Sequence, residues 1–138
     1  MSDCVGDACS ALQAKALALT GVKAAPDRPP EAMHQFPFAV CYPFQPGSLE
    51  LVSYGLGTWI QTIRLELHGM RVNLPQDVAL MTPYGQAMLE AILGDPTLGG
   101  VTEVLEVRPA FGVLSWNGQE NVHIGWAFDI DAKFNLTP

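Results

Sequence analysis

The sequence predicts an α/β domain of the α+β kind. It is read as a four-stranded antiparallel sheet with two helices on one face, in the order helix, strand, strand, helix, strand, strand. Three observations carry this. Trp59–Leu67 and Val122–Ile130 alternate apolar and polar residues, as half-buried strands do. Val5–Leu19 and Tyr84–Leu93 each carry one apolar stripe at helical spacing. The length of 138 residues is that of one ordinary domain, so residues 1–138 are read as a single unit. A chain of this size can hide about two-thirds of its surface on folding, enough for a core without staples.

In chain order, Val5, Cys9, Leu12, Ala16 and Leu19 fall at spacings of four and three and form one face of a helix. Ser2 or Asp3 suits its cap, and Gly21 followed by Pro26 stops it. Ala24–Gln35 contains Pro26, Pro29 and Pro30 and reads as an extended connector. Phe36–Tyr42 is aromatic and β-branched and is closed by Pro43, so it reads as a strand. In Trp59–Gly69, Trp59, Ile63, Leu65 and Leu67 share one side, with Gln61 the exception. Thr62, Arg64, Glu66 and His68 share the other. Pro75 opens a second helical region that Pro83 interrupts, giving one kinked helix or two short ones before Gly94-Asp95-Pro96. Val101–Val107 and Val122–Phe134 complete the sheet. In the last strand His123, Gly125, Ala127, Asp129 and Asp131 lie opposite Val122, Ile124, Trp126, Phe128 and Ile130. Asn117-Gly118 signals a hairpin turn between them.

Hydrophobic residues make up 49% of the chain and charged residues 15%, against roughly 25% charged in typical domains. This excludes a disordered acidic tail or a coiled coil, and implies that part of the surface meets a partner. Seven basic against fourteen acidic residues give a net charge of −7, which argues against a general nucleic-acid-binding face. No apolar run reaches the roughly 20 residues of a membrane span. The three cysteines, Cys4, Cys9 and Cys41, form no disulfide framework, and nothing at the start reads as a secretory leader. The expected setting is a reducing cytoplasm.

Chemical motifs are sparse. Gly55-Leu56-Gly57 and Gly99-Gly100 lack the Gly-Lys-Ser/Thr of a phosphate loop and read as turns. Cys4 and Cys9 point to different helix faces and have no second ligand pair, so no metal site is expected. His34 and Cys41 have no orienting third group, and Cys41 reads as a small buried hydrophobe rather than a nucleophile. His68, His123, Asp129 and Asp131 read as a solvated strand face. No catalytic residues and no cofactor are therefore assigned. The unusual segment is Phe44–Leu56, longer than an ordinary hairpin loop and carrying Phe44, Leu49, Leu51, Val52 and Tyr54. It is either a short extra strand on the sheet edge or an apolar arm offered to another subunit. Phe44, Leu49, Leu51 and Tyr54, with Thr62, Arg64 and Glu66 on the helix-free sheet face, are the candidate interface residues.

The helix ending in Leu19-Thr20-Gly21-Val22, the Pro-rich connector, the segment Phe36-Pro37-Phe38-Ala39-Val40-Cys41-Tyr42-Pro43 and the closing Ile92-Leu93-Gly94-Asp95-Pro96-Thr97-Leu98-Gly99-Gly100 together resemble tail terminator (tail completion) proteins of long-tailed bacteriophages of the lambda type. The resemblance covers nearly the whole chain in element order. It implies an α/β subunit that forms a six-membered ring, monomeric in some members before assembly. The ring caps the tail tube made of the major tail tube protein and docks the head-tail connector or stopper protein. It implies a structural virion protein at the tail–neck junction, assembled in the host cytoplasm, with no enzymatic activity, no cofactor and no membrane. A ring of six such chains would carry a charge of about −42, so DNA would slide through the lumen rather than bind it. The rival readings are a small α/β ligand-binding domain, which would need a concave apolar pocket, and an enzyme, which would need one of the weak pairs above to converge.

Overall fold

The computed structural model describes residues 3–25, 36–53, 55–116 and 119–137, with the backbone alone for 116 and 119–122. Of the expected connector Ala24–Gln35, residues 26–35, with His34 among them, lie outside the described residues, as do Tyr54 and the Asn117-Gly118 turn; Ala24 forms a single parallel bridge with Phe38. Among the described residues eight elements follow one another: α1 (Cys4–Leu17), β1 (Phe38–Pro43), β2 (Ser48–Ser53), β3 (Leu56–Met70), α2 (Leu74–Met81), α3 (Pro83–Leu93), β4 (Glu103–Trp116) and β5 (Gln119–Leu136). The α+β class and the antiparallel pairing agree with the sequence expectation. The strand number and element order do not: the sheet has five strands, because Phe44–Leu56 contributes β2.

The strand β3 is the spine. The strand β5 pairs along its whole length on one side, and β4 lies beyond β5. On the other side β1 and β2 lie end to end, β1 against Ile63 to His68 and β2 against Leu56 to Ile60. The register aligns Cys41 with Leu65 and Leu65 with Phe128, so the odd-numbered side of β3 joins the apolar side of β5. Onto this face pack Val5, Ala8, Cys9, Leu12 and Ala16 from α1, Met81 from α2, and Met88 and Ile92 from α3. All the helices therefore share one face, as their single apolar stripes require.

The helix α1 starts where Asp3 caps it, its carboxylate accepting the Gly6 N–H at 2.9 Å. It ends at Leu17 rather than Leu19, because the chain closes a turn in which Val22 N–H donates to the Leu19 carbonyl and Gly21 adopts a φ of 93°. Pro83 has no N–H to continue the second helix, so the region divides at Thr82 into α2 and α3. The expected strand Val101–Val107 runs on to Trp116. Pro109 obscures this in the sequence, but β4 is an edge strand, where a missing backbone donor is tolerated. Gln61, the polar interruption on the apolar side of β3, is buried. Its amide donates to the Gln45 carbonyl at 2.9 Å and to the Thr62 carbonyl at 3.1 Å, fixing the crossing from β1 to β2.

Candidate functional site

The arm is an edge strand with an open side. All six residues of β2 are exposed, Leu49 to 58% and Leu51 to 79%, although they pair in register with β3. Leu49 rests against Gly57, whose lack of a side chain makes room for it. A second exposed apolar group lies past the far end of β3, where Met70, Val72 (79% exposed), Leu74 and Leu80 (69% exposed) surround the β3–α2 turn. That turn is held by Asp77, whose carboxylate accepts the N–H groups of Val72 and Asn73 at 2.7 and 2.8 Å. No local pattern marks this group, because its members are spread over the end of β3, the turn and both ends of α2 and share no single period.

The helix-free sheet face divides into two parts. In the first, charged residues pair across strands. Arg64 donates bidentately to Asp129 at 2.7 and 3.0 Å and lies 3.6 Å above the Phe44 ring. Thr62 donates to Asp131, which also accepts two bonds from Arg108. These bonds hold the Asp131 carboxyl below the usual carboxylate range and raise the Arg64 and Arg108 guanidinium groups. Thr62, Arg64 and Phe44 are partly exposed here, as a contact surface needs.

In the second part the expectation of a solvated face is overturned. Phe38, Val40, Glu66, His68 and His123 are buried. Tyr42 OH donates to Glu66 Oε2 at 2.8 Å, Glu66 Oε1 lies 2.9 Å from His68 Nε2, and His68 Nδ1 lies 2.8 Å from His123 Nδ1. The chain of bonds closes with both rings neutral if His68 carries its proton on Nε2 and accepts from His123 Nδ1–H. His68 stacks flat on Phe38 with ring centroids 4.7 Å apart, and His123 meets Phe36 and Phe38 edge-on. Burial and the neighbouring His68 push the His123 pKa down to about 4, against the weaker pull of Glu66. Burial and Glu66 raise the Tyr42 phenol. Glu66, expected as an interface residue, thus has both oxygens engaged inside the protein. Alternation assigns these residues to one side of the sheet, but a period of two does not say whether that side is covered.

Cys41 is buried in the core, as expected. It neighbours Cys9 of α1, and both line an open groove of about 620 Å³ with Asp3, Gln13, Trp59 and Gln61. Among the described residues no group of three His, Cys, Asp or Glu side chains is placed to hold a metal ion. Among them, too, no helix is long and apolar enough to cross a membrane. Compared with known proteins, the chain matches no protein-family model and no curated protein.

Proposed function

We propose that this chain is a structural tail terminator subunit. Six copies form a ring that caps the phage tail tube, ends its polymerisation and provides the docking surface for the head–neck connector. The subunit works by contact, without catalysis or cofactor, and DNA passes through the lumen without specific binding. One observation supports this most. Two different exposed apolar surfaces lie at opposite ends of β3, a strand of 15 residues and so about 46 Å long. A ring is built from head-to-tail contacts in which one patch meets a different patch on the next copy, and closure takes both out of water. Leu49, Leu51 and Val52 on one side and Val72 and Leu80 on the other suit those roles. Each large side chain covered contributes about 1.5–3 kcal/mol before ordering costs are subtracted. The low charge fraction and the half-exposed Thr62, Arg64 and Phe44 are consistent with a further contact on the sheet face. The rival ligand-binding reading rests on the groove beside α1, which opens to solvent along acidic Asp3 and Asp7 instead of enclosing an apolar cavity.

The test is electron microscopy of purified tail tubes incubated with the protein. Wild type should form a ring on one end of each tube and block extension by added tube protein. The exposed double variants Leu49→Ser/Leu51→Ser and Val72→Ser/Leu80→Ser should stay folded and fail to cap. A wild-type protein that leaves tube ends bare overturns the functional reading. Variants that cap normally overturn the assignment of these surfaces.

A further inference from the structure

We propose that Cys9 and Cys41 are a redox-active dithiol that closes reversibly into a disulfide and locks α1 onto β1. Cys9 lies on the sheet-facing stripe of α1, and Cys41 lies on the helix-facing side of β1, where it pairs with Leu65. The two side chains are neighbours across the α1–β1 interface: they belong to one buried cluster and border the same groove. Both thiols are largely buried, and both border the open groove beside α1, which is the route by which a small solute would approach them. Cys4 does not line that groove. It borders a separate depression with Thr102 and Lys133.

The two thiols are not equivalent. The neighbouring Cys41 holds the Cys9 thiol below its ordinary value, while Cys9 and burial push the Cys41 thiol well up. In the proposed sequence Cys9, on the helix, is the attacking sulfur and Cys41, in the sheet, the resolving one. With a small disulfide such as oxidised glutathione, the Cys9 thiolate attacks one sulfur, the S–S bond breaks, and one glutathione thiolate leaves and takes up a proton. Cys41 then loses its proton and attacks Cys9 Sγ, expelling the second glutathione as its thiol. Two protein thiols are oxidised by two electrons, and the small disulfide is reduced to two thiols. The new bond ties α1 to the sheet across the whole intervening segment. It restrains the unfolded chain more than a local link would.

The experiment uses full-length Cys4→Ser protein in glutathione buffers of increasing oxidation, quenched with acid and alkylated for mass spectrometry. Both remaining thiols should disappear together, with a mass about 2 Da below the reduced chain, a linked Cys9–Cys41 peptide pair and full reversal by dithiothreitol. The thermal midpoint of the oxidised monomer should rise. Cys41→Ala should stop at a stable glutathione adduct of about 305 Da on Cys9, whereas Cys9→Ala should react at least about tenfold more slowly. The proposal is overturned if the two-thiol protein accumulates the Cys9 adduct without resolving it. It is also overturned if the thiols survive buffers that oxidise the urea-unfolded chain, or if links form only between copies. The Cys4→Ser readout decides the matter even if the alanine variants fail to fold.

Discussion

Acid should weaken this protein at one buried imidazole, that of His123. His123 is buried beside His68, with Glu66 beyond it and Tyr42 on Glu66, and its pKa lies near 4 instead of the 6.5 of an exposed imidazole. Between those values the unfolded chain binds a proton that the folded chain refuses, so stability rises with pH there. The contribution is fully present above about pH 6.5, falls as the pH drops, and stops changing below about pH 4. At full weight the gap corresponds to about 3 kcal/mol. The site lies toward the end of the sheet and feels the Glu66 carboxylate, so solvent screening leaves about 1–2 kcal/mol. Urea unfolding at pH 7, 6, 5 and 4.5 measures the effect, comparing wild type with His123→Gln, which keeps an amide in place of the ring but binds no proton. Wild type should lose about 1–2 kcal/mol over this range and the variant much less. Asp95 and Asp131, both held below the usual carboxylate range, lose their contributions only below about pH 4 and do not blur the window. A flat wild-type profile, or an equal slope in the variant, would refute the reasoning.

Two further outcomes test the packing. At Gly85 an added Cβ would come within 2.5 Å of the Trp126 ring, and that ring is pinned by its Nε1–H bond to the Met81 carbonyl at 2.9 Å. Gly85→Ala should therefore cost about 1–3 kcal/mol, read as a lower thermal midpoint and a shifted tryptophan emission; an unchanged midpoint would mean that α3 can lift off the sheet freely. Asp3→Ala should cost about 1 kcal/mol through loss of the α1 cap and Asp3→Asn much less, both measurable by chemical unfolding.

Local periodicity accounts for much of the fold. The alternation of Trp59 to Leu67 and of Ile124 to Ile130 assigned each side chain to its side of β3 and β5, and the stripe from Val5 to Ala16 marked the buried side of α1. Caps and breakers did the same for ends: Asp3 and Pro83 act where their chemistry says they should. The apolar arm was also legible as an oddity, but whether it formed a strand depended on β3 having bare edge beyond β1.

What only the tertiary structure decided are the pairings between distant residues. Arg64 with Asp129 and Thr62 with Asp131 need the register of β3 on β5, which no local pattern specifies. Cys9 and Cys41 meet because a helix lies on a particular strand, although neither segment marks the other in sequence. His68, His123 and Glu66 read as solvated because alternation reports the side of a strand, not what lies over it. The sequence by itself determined the elements and their faces, because these follow from short-range sterics and the period of hydrophobic residues. Which polar groups are buried and which cysteines become neighbours depends on long-range packing that brings together groups tens of residues apart.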